Sequence, residues 1–445
     1  MSRPPILASC VCSILLAATA HAERVVIDYW EKWTGFERES MEAIVNKFNA
    51  SQDRIEVRYS SISQIDLKLM LAIAGRKPPD VAGIWSYNIP VYVENNALHP
   101  LDALCREYNI KAEDYLPSVW RLCTYHDRIW ALPTTPAATA LYWNKKLFRE
   151  AGLDPEKPPT SIAELEQFNE KITARGPDGR YRVFGHLPEE PGWFRSSWGY
   201  WFGGSLWDGH GHITATDPGN RRALEWVESY PRRFGVREVS GFLESSSNVT
   251  SSSANPFISG RVAMVLQGPW EWKFLQRFGT GDLEIGVAPF PSLAGTTKPP
   301  VTLVESDILV IPAGSPHIKE AFEFVAFVNR QENIEQFCSA QCNFSPLVKV
   351  SEAFWKNHPH PYIRVFYDLA RSPGAVSPPQ IPDWNLYRAQ LDQNIKEVWN
   401  LRLTPSAALE DVQQRVQKDL DRKVQRWEAI KDTLRQEWNK EDVVP

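Results

Sequence analysis

Residues Val262 to Leu266 form an unbroken apolar run, fed by Gly260-Arg261 and stopped by Gly268-Pro269. A strand that is apolar on both faces must be covered on both, which is the condition of an α/β sheet with helices above and below. Proline already has the φ of a first helical turn and lacks an N–H that would go unbonded there. The spacing therefore predicts a helix opening at Trp270-Glu271-Trp272. Trp270 then stands at the carboxyl end of a strand and the mouth of a helix, where open α/β sheets take their ligands. A tryptophan at such a turn either meets a ligand or fills the core.

The amino-terminal third repeats this logic. Val25 to Trp30 reads as a strand, and Thr34 as the N-cap of a helix carrying Met41, Ile44, Val45 and Phe48. Ile55 to Tyr59 alternates as a second strand, Leu67 to Ala74 is helical, and Pro78-Pro79-Asp80 leads a third strand ending on Trp85. Strands alternating with helices make parallel βαβ units. At 445 residues the chain exceeds what one core accommodates, so two domains are expected. Net charge −5 argues against nucleic acid or an anionic membrane surface as partner.

The first 22 residues read as a secretory signal peptide, with Arg3, an apolar Ile6–Ala18 stretch and Ala20-His21-Ala22 as the cleavage site. Leu7-Ala8-Ser9-Cys10 also fits a lipobox, which would anchor the protein through an acylated Cys10. No other stretch is long and apolar enough to span a bilayer. Secretion would leave Cys105, Cys123, Cys338 and Cys342 in an oxidising compartment. Two disulfides, most locally Cys105–Cys123 and Cys338–Cys342, are one reading; four buried thiols are the other. Residues 408–440 place Val412, Val416, Leu420, Val424, Trp427, Ile430, Leu434 and Trp438 on one stripe, a long amphipathic helix. It is expected to pack along the second lobe, or else to offer a surface to a partner.

The Gly260–Trp272 run resembles a signature of the extracellular solute-binding proteins of family 1, the sugar-binding subunits of ABC importers. Other landmarks follow in family order. Asp127-Arg-Ile-Trp-Ala-Leu-Pro133 is similar to "G-K-x-Y-A-L-P", and Ala140 to Leu153 to "L-Y-Y-N-K-D-L-F-x-x-A-G-L". Pro158 to Leu165, Phe202-Gly203-Gly204, Ile308 to Pro312, Ala321 to Phe327 and Asn343 to Leu347 resemble further family elements. The resemblance implies a two-lobed, maltose-binding-protein-like fold, each lobe a mostly parallel sheet flanked by helices. Lobe one would comprise residues 23–135 and 289–340, and lobe two residues 136–288 and 343–445. Three hinge crossings are implied, near Pro133–Ala138, Val287–Phe290 and Gln341–Phe344.

A sugar is held by flat aromatic faces against its C–H faces and by polar groups at its hydroxyls. The family's ligand turns fall here on Glu31, Lys32 and Trp33, on Trp85 and Tyr87, on Glu190 and Trp193, and on Trp201, Trp270 and Trp384. Glu305 and Asp307 would enter the cleft ahead of the strand Ile308 to Ile311. One departure bears on specificity: where maltose-binding protein has a hinge-side Glu, this chain has Pro136-Ala137-Ala138-Thr139.

The implied function is a periplasmic or extracellular protein that captures a sugar, an oligosaccharide or glycoside, and delivers it to an ABC permease. Neither cofactor nor metal is expected. Asp208-Gly-His210-Gly-His212 reads as a hairpin turn, and no Walker, dinucleotide or Gly-x-Ser-x-Gly motif occurs. Three alternatives remain open: a glycerol phosphodiester or other polar metabolite in the same fold, a secreted carbohydrate-active enzyme, and a binding protein feeding a chemosensor. A phosphate would call for Arg or Lys at a helix N-terminus, and the candidate turns are acidic or aromatic instead.

Overall fold

Strand β1 (Val25–Glu31) buries Ile27 and Tyr29 on one face and pairs in parallel with β2 (Ile55–Ser61) and β3 (Val81–Trp85). The helix Gly35–Ser51 crosses between β1 and β2, burying the stripe Met41, Ile44, Val45 and Phe48. The helix Ile65–Ala74 crosses from β2 to β3. These belong to a computed structural model that describes residues 24–244, 252–279, 281, 283–293 and 299–441. The expected signal peptide and Cys10 lie outside the described residues.

After the short hairpin β4 (Thr124–Tyr125) and β5 (Arg128–Ile129), strand β6 (Leu132–Ala138) enters the first sheet. Strand β7 (Ala140–Asn144) begins the second sheet two residues later. That sheet is completed by β8 (Ala174–Arg175), β9 (Tyr181–His186), β10 (Val262–Gln267) and β11 (Ile285–Ala288), in the order β11-β7-β10-β9-β8. The chain then returns to the first sheet through β12 (Thr302–Val310) and, later, β13 (Ala375–Val376), giving β13-β12-β3-β1-β2 with β6 also on β12. Both crossing strands are pinned at Thr139. Its N–H reaches the Leu303 carbonyl at 3.1 Å, and its hydroxyl accepts from the Leu303 N–H at 3.1 Å.

The two-lobed α/β architecture is the expected one, but the sheets are mixed. In the first, β12 runs antiparallel to β3 and β6; in the second only β9–β10 is parallel, among the described residues. Both faces of the first sheet are covered. Along β12, Ile308 and Val310 join one core cluster, while Leu309 and the following Ile311 join the other.

One further expectation is corrected, and one choice left open is decided. Residues 343–445 do not lie wholly on the second lobe: β13 extends the first sheet, and the long helix, Pro405–Glu441, packs Trp427, Leu434 and Trp438 into the first lobe's core. No disulfide forms. Cys105 and Cys123 belong to different core clusters, Cys338 points its thiol at the Thr134 carbonyl, and Cys342 is the left-handed C-cap of its helix. All four are buried thiols.

Candidate functional site

The carboxyl ends of β1, β3 and β10 converge on a cavity of about 980 Å³ between the lobes. At the end of β1, Glu31 is fully buried and its carboxylate accepts from the Tyr29 hydroxyl and the Lys32 N–H, both at 2.8 Å. The space for it is made by Gly83: a Cβ there would lie 1.6 Å from the Glu31 carboxylate. Glu31 thus does not line the cavity. It anchors Lys32, whose Nζ lies 3.1 Å from Glu31 Oε1 and 2.7 Å from Asp307 Oδ1.

Asp307 arrives from a strand 222 residues further on because the antiparallel register sets it directly opposite Trp85. Its second oxygen accepts from the Thr135 hydroxyl at 3.0 Å. The Lys32 ammonium also sits over the Trp33 and Trp85 rings, 4.8 and 4.9 Å from their centroids. Burial works against this charge, but Asp307 and Glu31 outweigh it, so the lysine is held above its ordinary pKa. Trp85 stacks on Tyr87 with centroids 6.0 Å apart and planes 6° apart.

The second lobe supplies the facing wall. Trp270 caps β10 and opens the helix Glu271–Phe278, as its position after Gly268-Pro269 predicts. Gly268 has to be glycine, because a Cβ would stand 2.3 Å from the Trp270 ring. Gly192, at φ +82°, turns the preceding loop so that Trp193 is 45% exposed, with its ring 6.3 Å from Trp270. Trp384 begins the helix Trp384–Trp399 and lines the cavity, its indole N–H without a partner among the described residues. One turn on, Arg388 lies over the Tyr87 ring at 5.2 Å and so reaches the opposite lobe. The mouth closes through Phe36 against Phe274, 6.0 Å apart, and through Asn385 donating to Asn88 at 2.8 Å.

The cavity therefore brings together Lys32, Trp33, Trp85, Tyr87, Trp193, Trp270, Asp307 and Trp384. Two other expected ligand residues are elsewhere. Trp201 is 1% exposed and packs against Trp198 and Phe290, because the 3-10 helix Arg195–Phe202 turns it inward. Glu190 lies outside the lining, half-buried near Arg261 and Glu271, and its desolvation pushes its carboxyl up to about 7.

Four charged residues that the sequence reading passed over do line the cleft: Glu37, Asp66, Arg388 and Asp392. Glu37 and Asp66 occupy first turns of the helices after β1 and β2, the same topological place as the tryptophans. Trp384, Arg388 and Asp392 recur every fourth residue on one helix face. Burial, followed by repulsion from Asp307, pushes Glu37 up to about 7. Burial does the same to Glu305, although Arg388 opposes it. The lining carries five carboxylates against two cations, and each cation already faces carboxylates. Such a site offers acceptors for hydroxyls and aromatic faces for C–H groups.

The model of the family described as bacterial extracellular solute-binding protein matches residues 36–335. The chain belongs to that family. Among curated proteins, this solute-binding protein is similar to the sn-glycerol-3-phosphate-binding periplasmic protein UgpB of Yersinia pestis, 20% identical over 90% of this chain and 93% of that one. UgpB of Escherichia coli O6:K15:H31 matches at 20% over 90% and 94%. Among solved structures, CpMnBP1 with mannobiose bound superposes with a TM-score of 0.79 at 24% identity, covering 88% of this chain and all of that one. The maltose/maltodextrin-binding domain MalE of Bdellovibrio bacteriovorus, bound to maltotriose, gives 0.70 at 17% over 89% and 100%. These relatives are binding proteins, and those named UgpB are periplasmic. No helix among the described residues is long and apolar enough to cross a membrane.

Proposed function

We propose that this solute-binding protein captures a sugar, an oligosaccharide or glycoside, in the interlobe cleft and hands it to an ABC permease outside the cytoplasm, without chemical change. The observation that carries the reading is the opposition of aromatic walls: Trp33, Trp85 and Tyr87 on one lobe, Trp193, Trp270 and Trp384 on the other. A ligand clamped between them contacts both lobes at once and so favours the closed state. The sugar-bound structural neighbours support this ligand class. In this reading the lobes divide near Thr139 and between β11 and β12, which lie in different sheets, and a cleaved signal at residues 1–22 directs export.

Glycerol phosphate, the ligand named for the UgpB relatives, is the second reading. The charge of the cleft weighs against it. A phosphate would meet five carboxylates, with Lys32 and Arg388 already engaged. Titration calorimetry with mannobiose, maltotriose and sn-glycerol 3-phosphate tests the choice. Heat from a saccharide alone is expected; heat from the phosphate ester alone would reverse it. Incubation with glycans should return them intact, and released product would instead make the protein an enzyme.

A further inference from the structure

The helix Pro405–Glu441 spans 37 residues, about 55 Å at 1.5 Å per residue. It has two docks. Its first half buries Ala408, Leu409, Val412, Val416 and Leu420 in the core that holds the second sheet. Gln413 accepts from the Thr216 N–H at 2.9 Å and Gln417 from the Ile213 N–H at 2.7 Å, fixing this half to the second lobe. Its last turns join the first lobe. There Trp427, Leu434 and Trp438 pack with Ala82, Ile84 and Ile308. Trp438 stands edge-on to Trp130 at 4.8 Å and donates from Nε1 to Asn96 at 2.9 Å, while Trp427 stacks on His126 at 4.2 Å.

Between the docks the apolar stripe breaks. No residue from 421 to 426 is buried, and Val424 is 42% exposed. A cavity of about 310 Å³ lies beneath this stretch, walled by Tyr125 and His126 from one lobe, by Trp207 and Pro382 from the other, and by Val424 and Trp427 of the helix. Lys423 in this stretch pairs with the buried Asp383 carboxylate, so a helix held in both lobes cannot follow lobe opening without bending beyond that contact or leaving a dock. Bending has a cost, and the space under residues 421–426 leaves room for only a small flexure.

We propose that the carboxyl-terminal helix is an interlobe strap that limits how far the empty cleft opens and so sets the affinity of the cleft for its ligand. The proposal rests on the reading of the cleft as the ligand site. A narrow open state places more of the ligand-free population near the closed geometry, and apparent affinity scales with that competent fraction. The first-lobe dock is the one to release, because neither Trp438 nor Asn96 lines the ligand cavity.

The test uses the full chain with two independent variants. Trp438→Ala removes the largest contact of the dock. Asn96→Gly removes only the hydrogen bonds to Trp438 and Glu437, and glycine is at ease at the φ of +50° found there. Small-angle scattering of the ligand-free proteins should give a larger radius of gyration for both variants than for the parent. With saturating mannobiose or maltotriose, whichever the parent binds, the profiles should coincide. Titration should show affinity weakened by roughly threefold or more, in proportion to the lost competent fraction. Circular dichroism checks that both variants remain folded. Ligand-free scattering identical to the parent in folded Asn96→Gly and Trp438→Ala overturns the strap. A parent that binds neither saccharide overturns the sugar reading alone, since the ligand-free scattering still decides the strap.

Discussion

Lys32 and Asp307 meet across the first sheet at 2.7 Å, although they are 275 residues apart in the chain. The pair is built on buried Glu31, which contacts the same ammonium. Removing one partner of a buried ionic group leaves an uncompensated charge, at a cost of about 3–5 kcal/mol. Lys32→Met is therefore expected to destabilise the protein by about 3 kcal/mol, since it leaves the Glu31 and Asp307 carboxylates facing each other. Urea denaturation measures it. A loss under 1 kcal/mol would mean that the triad contributes little to the fold.

The two tryptophans Trp270 and Trp201 should behave oppositely. Trp270→Ala deletes an aromatic wall of the cleft and is expected to weaken saccharide binding by 1 kcal/mol or more, roughly fivefold, with little change in melting temperature. Trp201→Ala should instead leave a core cavity and cost about 3–5 kcal/mol of stability, with affinity per folded molecule unchanged. Calorimetric titration and thermal melts on both variants separate the roles. Unchanged affinity in Trp270→Ala would remove that residue from the site.

Trp270 was legible because its position follows from backbone chemistry: an apolar strand, a Gly-Pro stop, a helix start. The same rule, applied to the helices after β1 and β2, points to Glu37 and Asp66, whose polar character drew attention away from their place. Trp201 was not legible, because its burial depends on the rotation of the 3-10 helix Arg195–Phe202 against Phe290, a contact 89 residues distant. The second dock of the long helix was hidden for a similar reason. An amphipathic stripe fixes which face is covered, and tertiary packing alone decides by what. The choice between disulfides and thiols was not legible, since compartment, count and spacing carry no information on the direction of each Cβ.

Gly268 offers a subtler probe. A Cβ at this position would stand 2.3 Å from the Trp270 ring, so Gly268→Ala must displace that ring. The backbone there needs no left-handed φ, and the fold should survive. The expected result is a saccharide affinity lowered about as much as in Trp270→Ala, with the indole still present, read by titration and by a changed tryptophan emission on binding. Wild-type affinity would show that the ring can shift without cost to the site.

Burial raises Glu271 from 4.5 to about 8, with Glu190 adding to the effect, and its carboxylate oxygens have no partner among the described residues. The folded state then keeps a proton that the unfolded chain has already lost. This contribution to stability is fully present below pH 4.5, declines through the window from 4.5 to 8, and is gone above it. Glu37, Glu190 and Glu305, each near 7, act in the same direction. The ligand-free protein should therefore be more stable to urea at pH 5.5 than at pH 8, and Glu271→Gln should flatten that slope.

Binding should carry the opposite sign. Sugar hydroxyls donate to the ionised forms of Glu37 and Glu305, so a bound sugar lowers their pKa and releases protons. Affinity is then expected to rise with pH up to about 7, the values these groups hold when empty, and to level off above it. Calorimetry in buffers of different ionisation enthalpy reads the proton count directly, and Glu37→Gln should reduce it. Because stability falls over the range in which affinity rises, a thermal-shift series with pH separates the two: the ligand-induced shift should grow as the ligand-free melting temperature drops. A shift independent of pH would mean that neither carboxylate touches the sugar, leaving recognition to the aromatic walls and the Lys32–Asp307 pair.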